Sequence, residues 1–110
     1  MAITNYPAVT TVGTGAYTSV GDTAVTIMYL TNITASGVAV EVYVVPNADT
    51  GTFEAASGLA GYKIYNALTI SANDTYVMDT EKLILATGDK IYVTAGSDSA
   101  INVTISTIGL

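Results

Sequence analysis

The sequence has no cysteine, no histidine, no tryptophan and no arginine, and its three cations are Lys63, Lys82 and Lys90. Each absence removes a class of chemistry. Without cysteine there are no disulfides and no thiolate metal sites. Without histidine the commonest general base at neutral pH is missing, and Ser-His-Asp, Cys-His and His-ligated zinc arrangements go with it. Without arginine the bidentate grip on phosphate or carboxylate is lost. Charge is scarce as well: 11% of residues are charged, with a net charge of -6 and a pI of about 4.1. Nucleic-acid binding needs a basic footprint to release counterions, and this chain has the opposite sign, as it does for anionic membrane surfaces. Long apolar runs are missing too. Hydrophobic residues make up 50% and mean hydropathy is +0.49, yet no run approaches the roughly 18 residues of a membrane helix. The run from Val38 to Val45 is broken by Glu41. Met1 to Pro7 carries neither the basic nor the apolar segment of a signal peptide. The expectation is a chain with no cofactor, no metal, no nucleic-acid or membrane partner, and no enzymatic activity.

What is present is a period of two. Val38, Val40, Val42 and Val44 alternate with Glu41 and Tyr43; Ile91, Val93 and Ala95 with Lys90, Tyr92 and Thr94; Ile101, Val103 and Ile105 with Asn102, Thr104 and Ser106. Ile64, Leu68 and Ile70 alternate with Lys63, Tyr65 and Thr69, whereas Val25, Ile27, Tyr29 and Ile33 share a parity against Met28 and Leu30. Such alternation in Val, Ile, Thr and Tyr marks half-buried strands. Turn chemistry at Gly13 and Gly15, Gly21-Asp22, Ser36-Gly37, Asn73-Asp74, Gly88-Asp89 and Gly96 to Ser99 bounds strands near 8–14, 23–34, 38–45, 62–70, 75–79, 90–95 and 100–107. Ser36-Gly37 and Gly96–Ser99 are expected to close hairpins. The only helical turn expected runs from Asp79 to Leu83. The 110 residues form one domain, and the pattern predicts an all-β sandwich or jelly roll of about seven to eight antiparallel strands. Residues 1–20 read as an extended arm able to lie on a neighbour, and 46–61 as a long loop whose one large apolar group is Phe53.

Candidate chemistry reduces to ordinary roles. Asp74, Asp79 and Glu81 read as turn and cap acids, not as a glycosidase pair held in a cleft. Asn47, Asp49 and Thr52 around Gly51 lack calcium-loop spacing, and Gly13-Thr14-Gly15 lacks the helix of a phosphate loop. The triplets at Asn32, Asn73 and Asn102 are expected by chance in a Thr-rich chain. The eight tyrosines are the informative set. Tyr43, Tyr65 and Tyr92 oppose the aliphatic stripe of their strands, as an interface would use them. With Tyr6, Phe53 and Tyr62 they form the expected interface set. The alternative is glycan contact through Tyr62, Tyr65 and loop 46–61.

Residues 70–95, with Asn73-Asp74-Thr75-Tyr76, Asp79-Thr80-Glu81-Lys82-Leu83 and Gly88-Asp89-Lys90-Ile91, resemble a block in small β-rich virion structural proteins of tailed bacteriophages. Tyr29-Leu30-Thr31-Asn32, Val42-Tyr43-Val44-Val45-Pro46 and Thr104 to Leu110 fit the same likeness, which spans about residues 20–110. Asn73 stands where that pattern would have glycine. The resemblance implies a virion role and brings no catalytic residues. On it rests the expectation of a capsid decoration or cement protein, made in the host cytoplasm and bound to the outer capsid surface. Its partners would be the major capsid protein and its own copies, most simply as a trimer; a tail, neck or fibre module that binds host glycans is the alternative.

Overall fold

The computed structural model describes residues 2–7, 9, 14–47, 62–79 and 83–110. Its nine strands are β1 (Ala2–Tyr6), β2 (Thr14–Thr18), β3 (Thr23–Asn32), β4 (Val38–Val45), β5 (Lys63–Ile70), β6 (Thr75–Met78), β7 (Leu83–Leu85), β8 (Lys90–Ala95) and β9 (Ile101–Gly109). Four antiparallel pairings organise them: β1 with β9, β2 with β8, β3 with β6 and β7, and β4 with β5. The numbers of facing residues add to between 106 and 109 throughout, as in Ala2 with Thr107, Thr18 with Lys90, Met28 with Met78 and Val38 with Ile70. The described strands therefore form one long antiparallel ribbon whose innermost pair is β4 with β5. The ribbon then rolls up, so that β9 pairs with β3 and β8 with β4. Sheet I has the order β1-β9-β3-β6 with β7 also on β3, and sheet II the order β2-β8-β4-β5. β6 and β7 are two halves of one run along β3, which gives the eight strands of a jelly roll.

Between the sheets, Val25, Met28, Leu30, Leu85, Ile101, Val103 and Ile105 of sheet I meet Val38, Val40, Val42, Ile91 and Val93 of sheet II. Each such side chain contributes about 2 kcal/mol by leaving water. β8 and β9 bury the stripes that their alternation predicts, and β4 does so as far as Val42.

Other expectations are corrected. Ser36-Gly37 and Gly96–Ser99 do not close hairpins, because β3 and β4, and β8 and β9, lie in different sheets. Both turns are arches across the sandwich: apolar faces on both flanking strands can be covered only by crossing the core. Residues 2–6 and 14–18 are not an arm on a neighbour; their strands pair with β9 and β8 of the same chain. The strand expected at 8–14 and the helical turn at 79–83 fall largely outside the described residues, though Leu83 opens β7.

Two strands change parity midway. In β3 the extra residue Thr26, whose hydroxyl donates to the Ser106 carbonyl at 3.1 Å, puts Val25 and Met28 inside and Ile27 and Tyr29 outside. In β5 the register slips twice against β4, between Leu68 and Tyr65 and again between Tyr65 and Lys63. Ala67 adopts the left-handed φ of 53° there. Tyr65 consequently turns inward, and Ile64, expected on the buried stripe, is exposed. The edge strands β2 and β5 of sheet II both carry such bulges, which blunts them against strand addition.

The arch after β3 is held by Asn32, which is 1% exposed. Its Nδ2 donates to the carbonyls of Ser36 (2.8 Å), Ile70 (3.0 Å) and Ser71 (3.3 Å), and its Oδ1 accepts from the Thr34 amide (2.9 Å) and hydroxyl (2.7 Å). One carboxamide thus ties the β3–β4 and β5–β6 arches together. Asn32→Ala strands these buried groups and should cost about 3 kcal/mol. Thr75→Ala, which removes only the exposed Thr31–Thr75 hydroxyl contact, should cost less than about 0.5 kcal/mol. Urea unfolding midpoints of the two variants check the contrast.

Candidate functional site

The jelly roll exposes the outer faces of its two sheets, and they differ in chemistry. On sheet I, directly opposed residues share a face, so three outward rows can be read across the strands: Ile3–Ser106–Ile27, Asn5–Thr104–Tyr29–Val77 and Ile108–Ala24–Ile84. A fourth row is Asn102–Thr31–Thr75. Among the described residues, every outward side chain of this sheet is aliphatic, aromatic, hydroxyl or amide, and none is an Asp, Glu, Lys or Arg. Ile3 is 72% and Ile84 65% exposed, and Tyr29, Val77 and Ile108 are also exposed. Four of the polar groups on the face partner one another: Thr31 with Thr75 at 3.2 Å, and the Thr104 hydroxyl with Asn5 Oδ1 at 3.3 Å. Covering such a face removes water from apolar surface without leaving those groups alone. Natural monomers seldom expose an apolar patch of this kind, and depletion of charge marks the centre of protein interfaces.

The outer face of sheet II is polar. Glu41 and Thr94 are opposed across β4 and β8, as are Tyr43 and Tyr92. The Glu41 carboxylate accepts from Lys63 Nζ (3.1 Å), from the Tyr43 hydroxyl (2.9 Å) and from the Thr94 hydroxyl (3.4 Å). Lys63 also donates to Asn66 Oδ1 at 3.1 Å and lies 5.8 Å from the centre of the Tyr43 ring. Hydrogen bonding from Lys63 holds the Glu41 carboxyl below its ordinary value. The same bond holds the Lys63 ammonium above its own. Burial, reinforced by the neighbouring Glu41, pushes the Tyr43 phenol up. Beside this cluster lies an open depression of about 260 Å³ lined by Ala39, Glu41, Ala67, Thr94, Ala95 and Gly96. It exists because Ala39, Ala67 and Gly96 stand where Tyr43 and Tyr92 rise further along the same face.

The expected interface tyrosines do not form one patch. Tyr43 and Tyr92 meet on the outer face of sheet II, where Tyr43 is only 6% exposed. The Tyr92 ring there lies over Gly15, whose missing side chain gives it room. Tyr65 packs edge-on against Tyr76, with ring centres 5.5 Å apart, instead of joining them. Tyr6 sits at the β1 margin opposite Val103, Tyr62 is half-buried just before β5, and Phe53 lies outside the described residues, as do Asp49, Gly51 and Thr52. Asp74 has the turn role read for it, its Oδ1 accepting from the Thr75 amide at 2.8 Å, and Asp89 accepts from the Asn47 and Ala86 amides, both at 2.9 Å; Glu81 lies outside the described residues. Among the described residues no three His, Cys, Asp or Glu side chains are placed to hold a metal ion. Ile3, Tyr29, Val77, Ile84 and Ile108 are the surface that sequence reading missed; their one signal was apolar residues on both parities of β3.

Comparison with family models, with curated proteins and with solved structures finds no match to this chain.

The sheet II cluster predicts a pH effect. A carboxyl that ionises below its ordinary 4.5 contributes its full stability above that pH and loses it as pH falls through the lower folded value. Glu41→Gln removes the ion pair. The Tm difference between the unmodified chain and the variant should therefore be greatest near neutrality and close on acidification, which thermal melts across the acid range would show.

Proposed function

We propose that this chain is a structural protein of a tailed-phage particle, a capsid decoration protein rather than an enzyme, that binds the assembled head as a homo-oligomer. The observation that carries the proposal is the outer face of sheet I, in which exposed apolar side chains are mixed with hydroxyl and amide groups and no Asp, Glu, Lys or Arg stands among the described residues. Copies that each carry a net charge of -6 repel one another wherever their acids face, and this face lets two copies approach without that cost. The five strands of sheet I, of 5, 9, 10, 4 and 3 residues, make a face of roughly 500 Å² at about 3.3 Å per residue and about 4.8 Å between strands. Three such faces turned toward one another remove up to about 1,500 Å² from water. In the trimer proposed, each copy turns this face toward a common axis and leaves the polar face of sheet II outside.

Two further features support a virion role. Residues 70–95 resemble a block of tailed-phage structural proteins, and the jelly roll is a recurrent shell-protein architecture, although a fold alone does not assign a function. The mechanism is mass action: a protein that binds only the assembled shell stabilises it in proportion to its occupancy.

Two measurements test this reading. Quantitative mass spectrometry of purified particles should find hundreds of copies against the major capsid protein; a dozen copies would move the chain to the neck, tail or fibres, and none would end the virion proposal. In light scattering, the unmodified chain should have the mass of three 11.3 kDa chains. Tyr29→Lys, which puts a charge in the centre of the face, should have the mass of one and keep the β-sheet circular dichroism of a folded chain. An unmodified chain that is already monomeric would remove the face from the argument.

A further inference from the structure

We propose that the depression beside Glu41 on sheet II binds a single neutral sugar ring. This inference is independent of the shell reading, since it uses the opposite face of the molecule.

A pyranose presents two chemistries at once, a ring of apolar C–H groups and a rim of vicinal hydroxyls. The depression offers both complements. Ala39 and Ala67 supply methyl groups along a shallow surface, and Gly96 keeps one side low. Glu41 and Thr94 supply an ionised acceptor and a hydroxyl, side by side on adjacent strands. At about 260 Å³ and open to solvent, the space suits one ring of a surface glycan and is smaller than ordinary drug-sized sites.

Three features favour a neutral ligand and a prepared site. Lys63 balances the Glu41 charge at 3.1 Å, so the depression has little net charge to offer an anionic or cationic ligand. The carboxylate is held by Lys63, Tyr43 and Thr94, so its orientation is fixed before any ligand arrives and less entropy is lost on binding. Ala67 lines the same depression with a left-handed backbone, φ 53°. A non-glycine residue held in that region is strained, and such strain gathers at ligand sites. The alanine there also keeps open the space that a longer side chain would fill.

The test is a titration of the isolated protein followed by backbone amide NMR. The probes are glucose, galactose, mannose and N-acetylglucosamine, with N-acetylneuraminic acid and glucosamine as anionic and cationic controls. At least one neutral sugar should shift the amides of Ala39, Glu41, Ala67, Thr94 and Gly96 saturably in the millimolar range. Ala39→Leu, which fills the depression from an exposed position, should abolish the shifts, and Glu41→Gln should weaken binding by about tenfold. Silence with all four neutral sugars, equal affinity in Ala39→Leu, or preference for either charged control would overturn the proposal. Copy number on the particle is untouched by any of these results, so the two proposals fail separately.

Discussion

The antiparallel ribbon is the constraint on which the rest of the structure depends. Four strand pairs share nearly one register from Ala2–Thr107 to Val38–Ile70. Each pair taken alone has an apolar side with nothing to cover it. Rolling the ribbon pairs β9 with β3 and β8 with β4, and only then do two sheets face each other across Met28, Leu30, Val40, Val93 and Ile105. The arches must carry the chain across that core without losing backbone hydrogen bonds. Asn32 shows how this is done: one buried carboxamide satisfies carbonyls from two arches at once.

The roll leaves two outer faces, and the sequence divides its chemistry between them. The charges of β4 and β5, Glu41 and Lys63, are on sheet II, whereas the outward rows of sheet I have none. Four of the hydroxyl and amide groups on sheet I are paired within the face, which is the arrangement that tolerates dehydration. On sheet II the polar groups converge on one carboxylate beside an open depression. The first arrangement suits a large, flat protein contact and the second a small, hydroxyl-rich ligand.

Much of the fold was legible because β8 and β9 alternate without interruption and β4 does so as far as Val42: Val40, Val42, Val93, Val103 and Ile105 are all buried as their parity requires. What was not legible has local causes. Thr26 adds a residue to β3 and exchanges its faces, so Ile27 and Tyr29, which share the parity of Val25, point the other way. The slips in β5 do the same to Tyr65 and Ile64. Turn residues such as Ser36-Gly37 mark where a strand ends but not which sheet the chain enters next, so arches were read as hairpins. The sheet I face depends on the Thr26 bulge and on the arches, together with the pairing of β1 and β9. Tyr43 and Tyr92 were readable only as residues opposite the aliphatic stripe of their strands; the pairing of β4 with β8 sets them facing each other.

The position of β9 has a consequence for how the molecule is made. It is the strand nearest the C-terminus, yet it lies inside sheet I, between β1 and β3. Until β9 has left the ribosome β1 has no partner, and β3 has only its β6 and β7 edge covered. The nascent chain can close the β4–β5 end of the ribbon early, since those strands are close in sequence, but sheet I must wait for β9. A chain terminated before that strand carries open strand edges instead of a smaller native core.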